Sequence, residues 1–346
     1  MNPEKEKKVS IIKLNKKFTL KDDFPVPTME EWREIVEPFL KGAPFEKKLC
    51  TPTYEGITLN PLYVRSHRES LPLDMYPGSD NRVRGYSPAG YPGKTWDIAR
   101  EIPLPLAEDF NKAILNDLNK GQNAVNLILD TATQLGQDAD FAETENVGDR
   151  GLSLSELLSL EEALNGIDLS AVGFYADAGF SALPLMPLLN AYFSRYKIDP
   201  SGLRGAIIQD PLAFLARVGY LPLSLEDVAL EMKDVLVWLS QHAPGLKGVG
   251  ISTVPYHEGG ANAVQELAWT LSTIVEYMNR LCDAGMNPKD VAGHLHITFG
   301  VGPFFFMEIA KIRAARLLTG KVLKEYGLNE DDIKITIHGR TAGHNQ

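Results

Sequence analysis

A chain of 346 residues, 44% hydrophobic and 23% charged, has the makeup of a soluble globular protein with one large domain plus extensions. Its formal net charge of −10 argues against an extended nucleic-acid surface and against binding to an anionic membrane. Two distant cysteines, Cys50 and Cys282, offer no disulfide framework or CxxC metal site, no apolar run approaches the roughly 20 residues of a membrane-spanning helix, and the start MNPEKEKK is not a signal peptide, so a cytoplasmic protein is expected.

The chain opens with an N-terminal extension, expected to run from residue 1 to 105. Residues 28–41, TMEEWREIVEPFLK, predict one amphipathic helix with Thr28 as N-cap and Trp32, Ile35, Val36 and Leu40 on its apolar stripe. Residues 51–105 then carry much of the Pro, Gly and Tyr in a long irregular path, which in a compact protein is functional or wraps a partner.

From 106 to 346 helical patterns alternate with short apolar runs. Strands are predicted over Asn123–Asp130, Ala171–Ala176, Gly205–Gln209, Gly248–Val254, His294–Phe299 and Ile333–His338. Helices are predicted over Ser155–Asn165, Leu185–Tyr196, Pro211–Val218, Leu225–Gln241, Ala263–Asp283 and Phe305–Tyr326. Serial strand–helix units imply an α/β fold with a parallel sheet, because each crossover needs a helix to return the chain. Eight units close a TIM-type barrel; about six are present before the closing GRTAGHNQ, so an incomplete (β/α)8 barrel is expected.

In such sheets the carboxyl ends of the strands face the ligand, which singles out Tyr256 and His257 beyond Val254, with Pro255 stopping the strand and Gly259-Gly260 before the next helix. His257 there either donates a hydrogen bond to a substrate carbonyl or bonds a backbone carbonyl of its own loop. Tyr256 is either a site residue or an aromatic cap on the core. Gln209 ends another strand, with Arg217 two helical turns later; the amide suits a carbonyl and the guanidinium a carboxylate or phosphate, against a structural or solvated role. Asp210 before Pro211 is read as a helix cap, and Asp130 as the cap of a turn. His294 and His296 alternate along one predicted strand and so share a face, but no third ligand accompanies them and no metal site is expected. Gly300-Val301-Gly302 lacks the full dinucleotide fingerprint, and Glu308, Lys311, Arg313 and Arg316 on the following helix read as an i,i+4 charged face. No GxSxG, Walker loop or paired-carboxylate motif is present to build a hydrolase on.

Several longer stretches carry a specific likeness: DFPVPTMEEWREIVEPFLKG, PLYVR, YPGSDNRVRG, ILDTATQLGQDAD, GAIIQDPLAF, YHEGGANAVQELAWTLSTIVEYMNRL and GVGPFFFMEIAKIRAARLL. With these the chain resembles methylmalonyl-CoA mutase and related adenosylcobalamin-dependent acyl-CoA mutases over nearly its whole length. The N-terminal part is most similar to the small, non-catalytic subunit of the heterodimeric mutases, DTATQLGQDAD and FFFMEIAKIRAARLL to the catalytic one.

The resemblance implies a TIM barrel threaded by an acyl-CoA, an N-terminal extension that embraces a partner subunit, and a radical 1,2-rearrangement. The family's cobalt-binding DxHxxG motif is absent from these residues, so the cobalamin-binding domain is expected on another chain or domain. By resemblance His257 faces the migrating thioester carbonyl, Tyr256 and Glu258 lie on the cofactor side, and Gln209 and Arg217 face the substrate, Arg217 as carboxylate anchor. The family's Trp-Thr-Ile-Arg-Gln-Tyr stretch reads here Trp96-Asp97-Ile98-Ala99-Arg100-Glu101, which replaces a substrate-binding arginine by Ala99 and a tyrosine of the radical step by Glu101; His294 stands where the catalytic subunit has an arginine for the CoA phosphates. The expectation is a small-subunit-like chain, with little or no activity alone, that dimerises with a catalytic mutase subunit. The alternatives are the active half of a split mutase with a different acyl-CoA, and a degenerate CoA-binding scaffold.

Overall fold

The computed structural model describes residues 27–69, 76–79, 82–93 and 95–343. The start through Val26, Asp80-Asn81 of the YPGSDNRVRG stretch and the closing His344-Asn345-Gln346 lie outside the described residues. By contacts the chain divides into two compact units, Met1–Leu71 and Pro72–Gln346.

In the first unit a helix spans Met29–Val36. Thr28 accepts from the Glu31 N–H at 3.1 Å while the Glu31 carboxylate accepts from the Thr28 N–H at 2.8 Å, a reciprocal box that satisfies two otherwise orphaned donors. The helix is shorter than its apolar pattern suggests: Pro38 lies in a following 3-10 turn, Glu37–Leu40, and Lys41 closes it in the left-handed region at φ 52°. Trp32 packs edge-on against Phe45, whereas Ile35 is exposed. Thr51–Pro52 and Thr58–Leu59 form a short antiparallel ladder.

The second unit holds a curled sheet of six parallel strands in sequence order, a half-barrel: β1 Ala124–Ile128, β2 Gly173–Asp177, β3 Gly205–Gln209, β4 Leu246–Ser252, β5 Leu295–Val301 and β6 Thr336–Thr341. Helices α1 Ala107–Asn119, α2 Leu157–Ala163, α3 Ala182–Tyr196, α4 Leu225–His242, α5 Ala263–Asp283 and α6 Phe305–Glu325 accompany it. The strand positions follow the apolar runs, with ends displaced most at β6, predicted from Ile333 and found from Thr336.

Strand alternation sorts the side chains into two rows. Val125, Leu127, Phe174, Ala176, Ile207, Ile251, Leu295, Ile297 and Phe299 are closed to solvent and belong to the apolar core shared with the helices. The opposite row faces the barrel axis and is mostly polar, with Asn126, Tyr175, Asp177, Ser252, His296, Thr298, Thr336 and His338. The rows change phase once on β4. Ala206 pairs with Lys247, but Gln209 pairs with Val249, a one-residue slip. The N–H groups of both Gly248 and Val249 point to the single carbonyl of His294, at 3.3 and 3.1 Å, so β4 bends there. A Cβ on Gly248 would meet Leu236 of α4 at 2.4 Å, whereas one on Gly250 would meet Ile208 at 2.3 Å. Gly248 and Val249 therefore both face the helix layer, and Gly250 and Ser252 return to the axis.

Among the described residues no helix is long and apolar enough to cross a membrane.

Candidate active site

Strand β4 delivers the chain to the carboxyl end of the barrel, where it turns into a short helix, Val254–Glu258, with Pro255 in its first turn. The strand ends at Ser252, so Tyr256 and His257 ride on this helical turn rather than on a bare loop. Gly260 follows at φ 91°, a conformation that favours glycine, and Asn262 then caps α5 in a reciprocal box with Gln265. Tyr256 is half-buried and rests on Trp269, ring centroids 4.7 Å apart; burial and the nearby Asp210 push its hydroxyl pKa upward.

His257 is held by a carboxylate, not by a backbone carbonyl of its own loop. Its Nδ1 lies 2.7 Å from Oε1 of Glu266, one helical turn into α5. Oε2 of Glu266 accepts from the Thr253 hydroxyl at 2.7 Å. Lys311 of α6 donates to the same Glu266 Oε1 at 2.9 Å and to the Gly300 carbonyl at 2.7 Å, and lies 2.7 Å from Glu308 Oε2. Gly300 lets the β5 end close over the imidazole: a Cβ there would come within 2.6 Å of the ring's Cγ. The predicted charged face of α6 is thereby corrected. Lys311 and Glu308 are buried, because α6 turns this stripe toward α5 and the strand ends rather than toward solvent. Their partner Glu266 was likewise missed, although a charged residue on the stripe shared by Thr270, Ile274 and Leu281 was the available signal.

Gln209 and Arg217 do not converge on His257. Gln209 pairs with Val249, itself paired with Leu295, so its fully buried carboxamide lies in the row that faces the helices, and Ile208 takes the axial position beside Gly250. Among the described residues neither side-chain polar atom of Gln209 has a hydrogen-bond partner. Arg217 sits late in the helix Pro211–Val218, donates to Gln134 Oε1 at 3.2 Å and lies over the Phe214 ring at 5.4 Å. Asp210 caps that helix through the Ala213 N–H, and also accepts from Tyr277 Oη and the Ser252 N–H, both at 2.6 Å. Burial outweighs these bonds and pushes its carboxyl up to about 6. Asp130 caps the turn Thr131–Gln134 through the Thr133 N–H at 2.8 Å.

The segment beginning at Thr95 lines the opposite, amino end of the barrel, around a cavity of about 790 Å³ whose walls include Asp97, Tyr175, Arg204, Lys247, His296 and His338. Tyr175 donates to Asp97 at 2.8 Å, and Arg204 pairs with the other oxygen of that carboxylate. Burial drives His296 down to about 3, with the neighbouring His338 and Lys247 adding repulsion. His294 does not share its strand: it follows the helix Pro288–Gly293, meets the Ser240 hydroxyl at 2.8 Å, and is driven down to about 4 by burial. The two histidines thus form no pair, and among the described residues no cluster of three His, Cys, Asp or Glu is placed to hold a metal.

Glu101, which stands in place of the tyrosine, is held in an ion pair. Arg340, on the axial row of β6, binds it with two bonds of 2.6 and 3.0 Å and reaches Glu258 at 3.2 Å. The Ala99 carbonyl accepts from Asn126, which pins this segment across the axis.

Residues 52–346 match the methylmalonyl-CoA mutase family model. Methylmalonyl-CoA mutase of Cereibacter sphaeroides is 30% identical over 91% of this chain and 45% of its own length. In Streptomyces virginiae the methylmalonyl-CoA mutase large subunit is 30% identical over 92% of this chain and 44% of its own, and the small subunit 30% over 90% and 47%. The chain spans about half the length of these curated relatives, and its identity to the two subunit types is the same.

Proposed function

The chain belongs to the methylmalonyl-CoA mutase family, an isomerase family, and we propose that it is the substrate barrel of an adenosylcobalamin-dependent acyl-CoA mutase, a cytoplasmic protein that works with a separate cobalamin-binding domain or a catalytic mutase subunit in a dimer. The observation that supports this most is the His257 imidazole, fixed on a buried carboxylate at the carboxyl end of strands whose axial row is mostly polar.

In this reading the acyl-CoA lies along the axis, with its pantetheine arm in the cavity between Asp97, Tyr175 and His296 and its thioester toward His257. His257 donates to the thioester carbonyl, which stabilises charge on that oxygen as the acyl group rearranges. The half-buried Tyr256 on Trp269, with the exposed Phe304, Phe305 and Phe306 after β5, offers flat apolar surface at the same end, which fits a corrin face; Glu258 borders it. When bound, adenosylcobalamin supplies the radical chemistry, its cobalt ligand coming from outside these residues. Tyr256 and the aromatic row exclude water there, and Arg217 stands as an anchor for a polar acyl substituent.

The purified chain with adenosylcobalamin and methylmalonyl-CoA is expected to turn over little or nothing until a cobalamin-binding partner is added. Robust turnover by the chain alone would overturn the small-subunit-like assignment. A second reading, the active half of a split mutase that takes an acyl group without a free carboxylate, is favoured by one observation: Arg340 is already engaged by Glu101 and Glu258. A panel of acyl-CoA esters on the assembled complex separates the two.

A further inference from the structure

Four elements build one buried polar cluster around the Glu266 carboxylate and its partner Lys311. Glu266 comes from α5, Lys311 and Glu308 from α6, Thr253 from the residue just after β4, and the Gly300 carbonyl, which accepts from Lys311, from β5. The Glu266 and Lys311 side chains are 1% and 0% exposed, so the cluster sits in the helix layer, where apolar side chains fill the same space more cheaply. An ionised carboxylate accepts hydrogen bonds and donates none, so in its 2.7 Å contact with Glu266 the Nδ1 of His257 carries the hydrogen. The far ring edge, Cε1 and Nε2, lies against Gly302, where a Cβ would stand 3.4 Å from both atoms.

We propose that Glu266, anchored by Lys311, is a positioning residue that holds Nδ1–H of His257 toward itself and so presents Nε2 to the substrate carbonyl. This rests on the reading of His257 as the thioester donor. Donation from Nε2 with Nδ1–H retained takes a doubly protonated ring, and Glu266 supplies its counter-charge. Lys311 keeps Glu266 from rotating away: it shares Oε1 with the imidazole, Thr253 fixes Oε2, and the ammonium is itself tied to the strand carbonyl behind the ring.

The test is nitrogen NMR of the full chain labelled with 15N-histidine, the His257 signals being those lost in His257→Gln. The wild type is expected to show a protonated, exchange-protected Nδ1. Glu266→Gln shifts the proton toward Nε2, because a side-chain amide can also donate, and Glu266→Asp restores part of the original pattern. Lys311→Met broadens the signal as the carboxylate loses its anchor. A wild-type His257 protonated only at Nε2, or a pattern unchanged in both Glu266→Gln and Lys311→Met, overturns the proposal. In the assembled complex Glu266→Gln lowers kcat by about tenfold or more while KM changes little. If His257→Gln itself leaves kcat intact while the Nδ1–H signature holds, the donor reading fails and the clamp stands, so the two failures are distinguishable.

Discussion

The ammonium of Lys311 lies 2.9 Å from the Glu266 carboxylate in a place that water does not reach. Removing one member of such a pair leaves the other charge buried and uncompensated, which costs about 3–5 kcal/mol. Lys311→Met is therefore expected to lower the urea midpoint sharply, and Lys311→Met combined with Glu266→Gln to cost less than the sum of the two single changes. Additive losses would mean that the two side chains do not interact as described.

Gly300 and His257 form a second close relationship. The missing Cβ leaves the room that the ring occupies, with Cγ 2.6 Å from where that carbon would stand. Gly300→Ala must push the imidazole aside, and a misplacement of about 1 Å costs on the order of 10²-fold in turnover. The check is kcat of the assembled complex alongside thermal unfolding; full activity in a folded variant contradicts the placement of His257.

Acid stability follows from His296 and His294. Their pKa values are depressed by burial from the ordinary 6.5 to about 3 and about 4, so the folded chain holds both neutral while the unfolded chain takes up protons below 6.5. Their contribution is whole above pH 6.5 and is lost as pH falls toward 3–4, on the order of 1.4 kcal/mol per pKa unit. Asp210 works in the opposite sense. Its carboxyl is raised from 3.8 to about 6, so its contribution is present below 3.8 and lost as pH rises through 6. Unfolding midpoints between pH 6.5 and 4 are therefore expected to fall less in His296→Gln, and more in Asp210→Asn, than in the wild type.

Arg340→Gln tests the mouth. Both partners of the Arg340–Glu101 pair are about one-third exposed, at 31% and 35%, so stability changes by only about 1 kcal/mol. Glu101 and Glu258 would then face the site uncompensated. KM is expected to rise for an acyl-CoA ester with a free carboxylate and to stay nearly level for one without; equal shifts would remove Glu101 from the substrate's surroundings.

The strands and most helices were legible in the sequence because apolar runs and helical periodicity report burial directly, as at Gly205–Gln209 and Ala263–Asp283, found where the pattern put them. Lys311 was not, since three- and four-residue charge spacing looks the same on a solvated face and on a buried one whose partner stands 45 residues away. Gln209 was misdirected for a different reason. Which face a strand's last residue takes follows the strand's register, here the pairing of Ile207 with Ala176, and that long-range pairing leaves no mark in composition.

That bend at Gly248–Val249 makes β4 an odd-numbered spacer. Were the same residues to alternate without the bend, everything beyond it would turn by half a turn about the strand, carrying His257 away from Gly300 and Glu266 without altering a single functional group. The address of the site is written in that bend, and Gly248→Val, whose side chain would run into Leu236, should prove more damaging than most substitutions in the loop that follows.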